Sequence, residues 1–135
     1  MKFLLDSNTC IQAMRTKGNP LVKARLAATL PADIAVCTVV VGELYYGAER
    51  SRNVVAERLK VDSFIMPFSN LVFDAAASSI FATVRADLAL RGLAIGPYDT
   101  LIAAIALANQ LTLVTHNTAE FSRIVGLTLD DWEVP

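Results

Sequence analysis

Short apolar runs and longer stretches of helical period alternate along this chain of 135 residues. The short runs are rich in aliphatic and β-branched side chains, which predicts strands. They cover residues 2–6, 34–38, 64–67, 111–115 and 127–129. Because helical segments separate these runs, we expect one parallel sheet that is covered by helices on both faces.

Apolar residues spaced three and four positions apart predict the helices between the strands. In segment 39–50, one stripe of helical period is formed by Val41, Leu44, Tyr45 and Ala48. Pro97 is placed to open a later helix, since proline is well tolerated in a first helical turn. The predicted helices span residues 9–15, 21–30, 39–50, 54–62, 73–91 and 97–109.

Length and composition fit a single domain over residues 1–135, because 54% of the residues are hydrophobic. No apolar run approaches the roughly 18 residues that span a bilayer, and we expect no signal peptide. Cys10 and Cys37 are not spaced as a metal-binding pair. We therefore expect two reduced core thiols in a cytoplasmic protein.

The net charge of −1 gives no overall attraction to nucleic acid. One segment is locally basic, with Arg50, Arg52, Arg58 and Lys60 opposed only by Glu57. A basic helical segment is usually a solvated face, and phosphate binding is the alternative.

Three acidic residues stand where strands end or helices begin. Asp6 directly follows the first strand, Glu43 lies near the start of the helix after the second, and Asp99 follows Pro97. Each has a structural explanation, as a helix cap, a polar helix face or an acid at a helix N-terminus. Right-handed crossovers nevertheless bring these positions to one edge of a parallel sheet, where active sites form.

The segment "LVTHNTAEF" repeats this arrangement, since its strand is followed by Asn117 and Glu120. His116 is the only histidine, which is weak evidence for a transition-metal site. Several carboxylates at one edge would repel one another unless a hard cation binds between them. Oxygen ligands without a His and Cys cluster favour Mg²⁺ or Mn²⁺ over zinc.

Taken together, these segments resemble the PIN domain family, and in particular the VapC-type ribonuclease toxins of bacterial toxin–antitoxin pairs. The resemblance runs nearly end to end, through "LLDSNTC", "VVVGELYYGAERS", "FDAAAS" with "RADLALRG", "IGPYDTLIAAIAL" and "LVTHNTAEF". It implies a three-layer α/β/α domain that hydrolyses RNA with Mg²⁺, and it implies Asp6, Glu43 and Asp99 as the metal ligands. It also implies a homodimer, a cognate antitoxin that neutralises the enzyme in a heterotetramer or larger assembly, and DNA contact only through that antitoxin.

One position departs from the family pattern, because many PIN domains carry an aspartate where Asn117 stands. Asn117 offers a carbonyl oxygen without charge, and Glu120 is the candidate for a fourth carboxylate. The sequence leaves open which of the two completes the catalytic site and whether one or two metal ions bind.

We expect Ser7 and Asn8 to hydrogen-bond around the metal ligands. The RNA is expected to be single-stranded or looped, since unstacked bases can be read there. Candidate contacts to its phosphates are Arg50, Arg85 and Arg91.

Other functions also place an aspartate after a first strand. A haloacid-dehalogenase-like phosphatase needs a second aspartate two residues later, where this chain has Asn8, and a receiver domain needs a late lysine, whereas the last is Lys60. The alternative from another class is a catalytically degenerate PIN domain that serves as a binding module within a DNA-binding toxin–antitoxin complex. Asn117 keeps that alternative open.

Overall fold

The computed structural model describes every residue from Met1 to Pro135, and it contains one five-stranded sheet. The strands are β1 (Phe3–Leu5), β2 (Ile34–Cys37), β3 (Ser69–Leu71), β4 (Thr112–Val114) and β5 (Leu129–Asp130). Their order across the sheet is β3-β2-β1-β4-β5, and every neighbouring pair is parallel. The parallel sheet expected from the sequence is therefore confirmed.

Seven α-helices flank the sheet and complete the expected three-layer α/β/α sandwich. They are α1 (Ser7–Met14), α2 (Pro20–Ala28), α3 (Thr38–Glu49), α4 (Val54–Ile65), α5 (Ala75–Leu90), α6 (Pro97–Ala108) and α7 (Thr118–Phe121). The first six were predicted, with ends that shift by a few residues. The short α7 and a 3₁₀ turn at Pro31–Asp33 were not predicted. No helix is both long enough and apolar enough to cross a bilayer.

The core lies between the sheet and its two helical layers. All four residues of β2 are buried, as are Leu4 and Leu5 of β1 and Leu113 and Val114 of β4. Strands covered on both faces need apolar residues at successive positions, which explains their continuous apolar runs. Both cysteines are buried and free, as expected.

The strand predicted at residues 64–67 is wrong. Helix α4 continues through Ile65, and the edge strand β3 begins only at Ser69. Phe64 and Phe68 pack edge to face with ring centroids 5.5 Å apart. This apolar run therefore anchors the end of a helix. The last strand also lies later than the predicted residues 127–129.

The chain path brings four segments to one edge of the sheet. Strands β1, β2 and β4 are parallel, so Asp6, the start of α3 and Thr115 all lie at their carboxyl ends. Helix α6 leads back to the amino end of β4, so its first turn begins at the same edge. The chain reverses its direction across the sheet between β1 and β4, which is where open α/β sheets bind ligands.

Candidate active site

Asp6 joins the central strand to the first helix. It is only 7% exposed, and its Oδ1 accepts a hydrogen bond of 2.8 Å from the backbone N–H of Thr9. Its own N–H donates to the carbonyl of Val114 in the neighbouring strand, at 3.1 Å. The residue therefore caps α1 and also holds a carboxylate at the strand end. Its Oδ2 accepts no hydrogen bond from the protein.

Glu43 reaches the same edge from α3, where Val41 and Leu44 face the core. The hydroxyl of Ser7 donates a hydrogen bond of 2.6 Å to Glu43 Oε1. Ser7 is the first residue of α1, so this bond ties Glu43 to the strand end that carries Asp6. Ser7 therefore makes a hydrogen bond of the expected kind, although to Glu43 and not to Asp6. The expectation for Asn8 is wrong, because its side chain is exposed and makes no hydrogen bond to these residues.

Asp99 lies in the first turn of α6, and its pKa departs clearly from the ordinary value of an aspartate. Burial first, and then the negative charges of Glu43, Asp6 and Glu120 in that order, together raise its pKa from 3.8 to about 6. These three carboxylates are therefore close enough to act on Asp99. We call Asp6, Glu43, Asp99 and Glu120 the acidic pocket.

The turn after β4 brings the last of these residues back over the strand end. Phe121 is 1% exposed and anchors the four-residue α7 in the core. The Asn117 side-chain amide donates to Glu120 Oε2 at 3.1 Å, and the Asn117 backbone N–H donates to Thr115 Oγ1 at 3.0 Å. Asn117 is thus paired with Glu120, the pocket residue that the turn carries.

His116 lies next to this pair but binds elsewhere. Its Nδ1 lies 2.9 Å from Asp131 Oδ2 and 3.9 Å from Glu133 Oε2. The hydrogen bond with Asp131 raises the His116 pKa, which favours an ion pair. These three residues are the only group whose potential ligand atoms all lie within 4.8 Å of one another, so the acidic pocket is more widely spaced.

The donor chemistry of the acidic pocket fits a hard divalent cation. The pocket offers carboxylate oxygens, with the side-chain oxygen of Asn117 beside them. Burial and, after it, repulsion by the other three acids raise the pKa of Asp99, and a cation would relieve that repulsion. Mg²⁺ and Mn²⁺ both prefer such oxygen ligands.

The basic residues proposed as phosphate contacts lie in different settings. The Arg50 guanidinium lies 5.6 Å from the ring centroid of Tyr46. Arg85 lies over the ring of Phe81 on α5. Arg91 is bound by the Asp87 carboxylate and the Arg123 carbonyl. Of the three, Arg50 directly follows the helix that carries Glu43.

A cavity of about 810 Å³ opens beside Glu43 and was not predicted from the sequence. Its walls include Ser7, Val39, Tyr46 and Tyr98. Two features of the sequence could have indicated this cavity. Tyr98 directly precedes Asp99, and Tyr46 follows Glu43 by about one helical turn. A second cavity, of about 410 Å³, borders Glu43 and Gly47.

Comparison with known proteins agrees with this fold. The family model described as "PIN domain" matches residues 3–127. The chain therefore belongs to the PIN domain family, as its sequence motifs had indicated.

Individual relatives show to which group within the family the chain is similar. The chain is 36% identical to "tRNA(fMet)-specific endonuclease VapC" of Shigella flexneri, with 98% of each protein covered. It is 32% identical to "Ribonuclease VapC2" of Rickettsia felis over 98% of this chain and 99% of that protein. A solved structure of DNA-bound VapBC from Salmonella typhimurium superposes with a TM-score of 0.91, at 35% identity and 98% coverage of each chain. Within the family, the chain groups with the VapC ribonucleases.

Proposed function

We propose that this protein is a Mg²⁺-dependent endoribonuclease that hydrolyses RNA phosphodiesters and acts as the toxin of a toxin–antitoxin pair. The observation that carries the proposal is the acidic pocket at the carboxyl edge of the sheet, where burial and the charges of three neighbouring acids raise the pKa of Asp99. The ribonuclease names of its full-length relatives support the reaction class.

In this proposal, Asp6, Glu43 and Asp99 bind the metal ion, and Glu120 with Asn117 completes the site. A bound Mg²⁺ lowers the pKa of a coordinated water and offsets negative charge on the phosphoryl oxygens. Mn²⁺ would serve the same purpose. The acids act as ligands, and no side chain of the pocket is assigned as a general base.

The neighbouring groups of the chain hold these ligands in place. Thr9 fixes Asp6 through its backbone N–H, and Ser7 fixes Glu43 through its hydroxyl. Phe121 anchors the turn that carries Glu120. Ligands that are held by hydrogen bonds and packing lose less entropy when a cation binds.

We also propose a cognate antitoxin as the partner. The relatives of known structure include VapBC2 from Rickettsia felis bound to a promoter DNA fragment, at 33% identity and a TM-score of 0.89. An acidic pocket can accept an Arg or Lys from a partner through charge-assisted hydrogen bonds. A homodimer would contact DNA only through that partner. We expect the neighbouring reading frame to encode this antitoxin, and the antitoxin to inhibit cleavage. Full RNA cleavage in the presence of that protein would contradict the proposal.

The test is cleavage of a mixed RNA pool by the purified protein with Mg²⁺ or with EDTA. Asp6→Asn removes a charged ligand at little change in volume and keeps an oxygen that can cap α1, so cleavage should fall by orders of magnitude. The matched control is Asp33→Asn, because Asp33 precedes β2 at the opposite edge of the sheet. It should cleave as the unmodified protein does.

Full cleavage by folded Asp6→Asn protein, or in excess EDTA, would contradict the proposal. The alternative is a degenerate domain that acts only as a binding module, which Asn117 had kept open. It predicts no metal-dependent cleavage by any of these proteins.

A further inference from the structure

The cavity of about 810 Å³ adjoins the acidic pocket through Glu43 and its hydrogen-bond partner Ser7. Ser7 and Glu43 line its wall, and the Ser7 hydroxyl is hydrogen-bonded to the Glu43 carboxylate. A phosphate held at the pocket would therefore have its adjoining nucleoside within reach of this cavity.

Two tyrosine rings also line the cavity and are largely in solvent. Tyr46 is 64% exposed and Tyr98 is 61% exposed, and neither hydroxyl makes a hydrogen bond within the protein. The Arg50 guanidinium lies 5.6 Å from the centroid of the Tyr46 ring. Exposed aromatic rings beside an arginine are a common means of binding unpaired bases, since the rings stack and the arginine attracts the backbone.

The rings are fixed to the same helices as two of the proposed ligands. Tyr46 follows Glu43 by three positions on α3, so the two side chains share a helical face. Tyr98 directly precedes Asp99 in the first turn of α6. The backbone positions of both tyrosines relative to these two ligands are therefore set by the helices.

We propose that Tyr46 and Tyr98 form a stacking site for an unpaired base of the RNA next to the phosphate that is cleaved. This inference rests on the proposed nuclease function and names its substrate class as single-stranded RNA. A base is the occupant that fits best, because it is flat and neutral, and a phosphate bound at the pocket would carry it to the cavity. Stacking on each ring adds affinity that does not depend on base identity.

The experiment measures KM and kcat for cleavage of a pool of short single-stranded RNAs of random sequence with Mg²⁺. Tyr46→Leu and Tyr98→Leu should each raise KM by about tenfold, the loss typical of one stacking contact, and leave kcat nearly unchanged. Tyr46→Phe and Tyr98→Phe keep the rings and should keep the original KM. Leu90→Ala is the control, because Leu90 is an exposed apolar residue of α5 outside the cavity.

A competitor made of the sugar–phosphate backbone without bases separates stacking from backbone binding. It should inhibit the unmodified protein and both leucine variants equally. Equal KM in the leucine variants, loss of binding in the phenylalanine variants, or a weaker competitor in the leucine variants would overturn the inference. So would a change in oligomeric state of the leucine variants by light scattering, since a second copy of the chain would then cover the rings.

The same experiment distinguishes failure of the stacking site from failure of the proposed nuclease function. If the unmodified protein cleaves no RNA with Mg²⁺, both are overturned. If it cleaves RNA and the leucine variants cleave equally well, only the stacking site is overturned.

Discussion

Asp6 is the residue on which local folding and the proposed chemistry converge. One of its carboxylate oxygens caps α1 through the Thr9 N–H, and the other accepts no protein hydrogen bond. A cap is typically worth about 1 kcal/mol, which helps to offset the cost of holding an acid at a crowded strand end. The two explanations that the sequence offered for Asp6 therefore describe the same side chain.

Asp99 leads to a prediction about pH. Its folded-state pKa is raised from 3.8 to about 6, so the folded protein binds the proton more tightly than the unfolded chain does. The stability from this proton is present at low pH and is lost as the pH rises through that interval. In EDTA, Asp99→Asn should therefore melt a few degrees above the unmodified protein at pH 7, with the difference shrinking toward pH 4.

The measurement is thermal unfolding of both proteins across this pH range, with and without Mg²⁺. Saturating Mg²⁺ should reduce or reverse the difference, because the ion stabilises the unmodified protein through its carboxylates. A difference in melting temperature that does not change with pH would contradict the raised pKa of Asp99.

For individual residues, the sequence predicted which acids converge, because Asp6, Glu43 and Asp99 each stand at a strand end or near a helix start. It did not predict which groups hold them. Ser7 and Asn8 are adjacent polar residues, yet only the Ser7 side chain hydrogen-bonds to Glu43. That difference depends on how α1 is rotated against α3, which local sequence does not encode.

Among the elements, the long helices and inner strands followed from their apolar period, whereas short or edge elements did not. The start of the run at residues 64–67 completes α4, because Phe64 and Ile65 pack against the core at the helix end, whereas Met66 after them is exposed. Helix α7 has four residues, too few to produce a periodic pattern. Yet α7 is the element that returns Glu120 toward the pocket.

The turn after β4 gives the second prediction, about which residue completes the site. The pairing of the Asn117 amide with Glu120 Oε2 leaves Glu120 as the group with charge to offer. Glu120→Gln should therefore raise the Mg²⁺ concentration for half-maximal RNA cleavage more than Asn117→Ala does. Asn117→Asp should be tolerated, because an added charge favours a hard cation.

A Mg²⁺ titration of RNA cleavage compares these three variants. If Glu120→Gln behaves as the unmodified protein while Asn117→Ala is inactive, then Glu120 serves only the turn. The site would in that case use three carboxylates and one amide.

At the scale of the whole molecule, the parallel sheet concentrates negative charge at one edge of a chain whose net charge is only −1. An RNA phosphate would be repelled there unless a cation bound first, which makes the metal ion central to the account. The fold class was predictable from alternating elements. The family followed from the order of its motifs, and not from composition, which alone gave no reason to expect a nucleic-acid substrate.

The measurement that tests this account most directly is a calorimetric titration of Mn²⁺ into the metal-free protein. We expect binding by the unmodified protein and by the Asp33→Asn control, and strongly weakened binding by Asp6→Asn and Asp99→Asn. His116→Gln should bind Mn²⁺ normally, because the group that His116 forms with Asp131 and Glu133 lies outside the acidic pocket. Binding that persists in folded Asp6→Asn and Asp99→Asn proteins but is lost in His116→Gln would contradict the account.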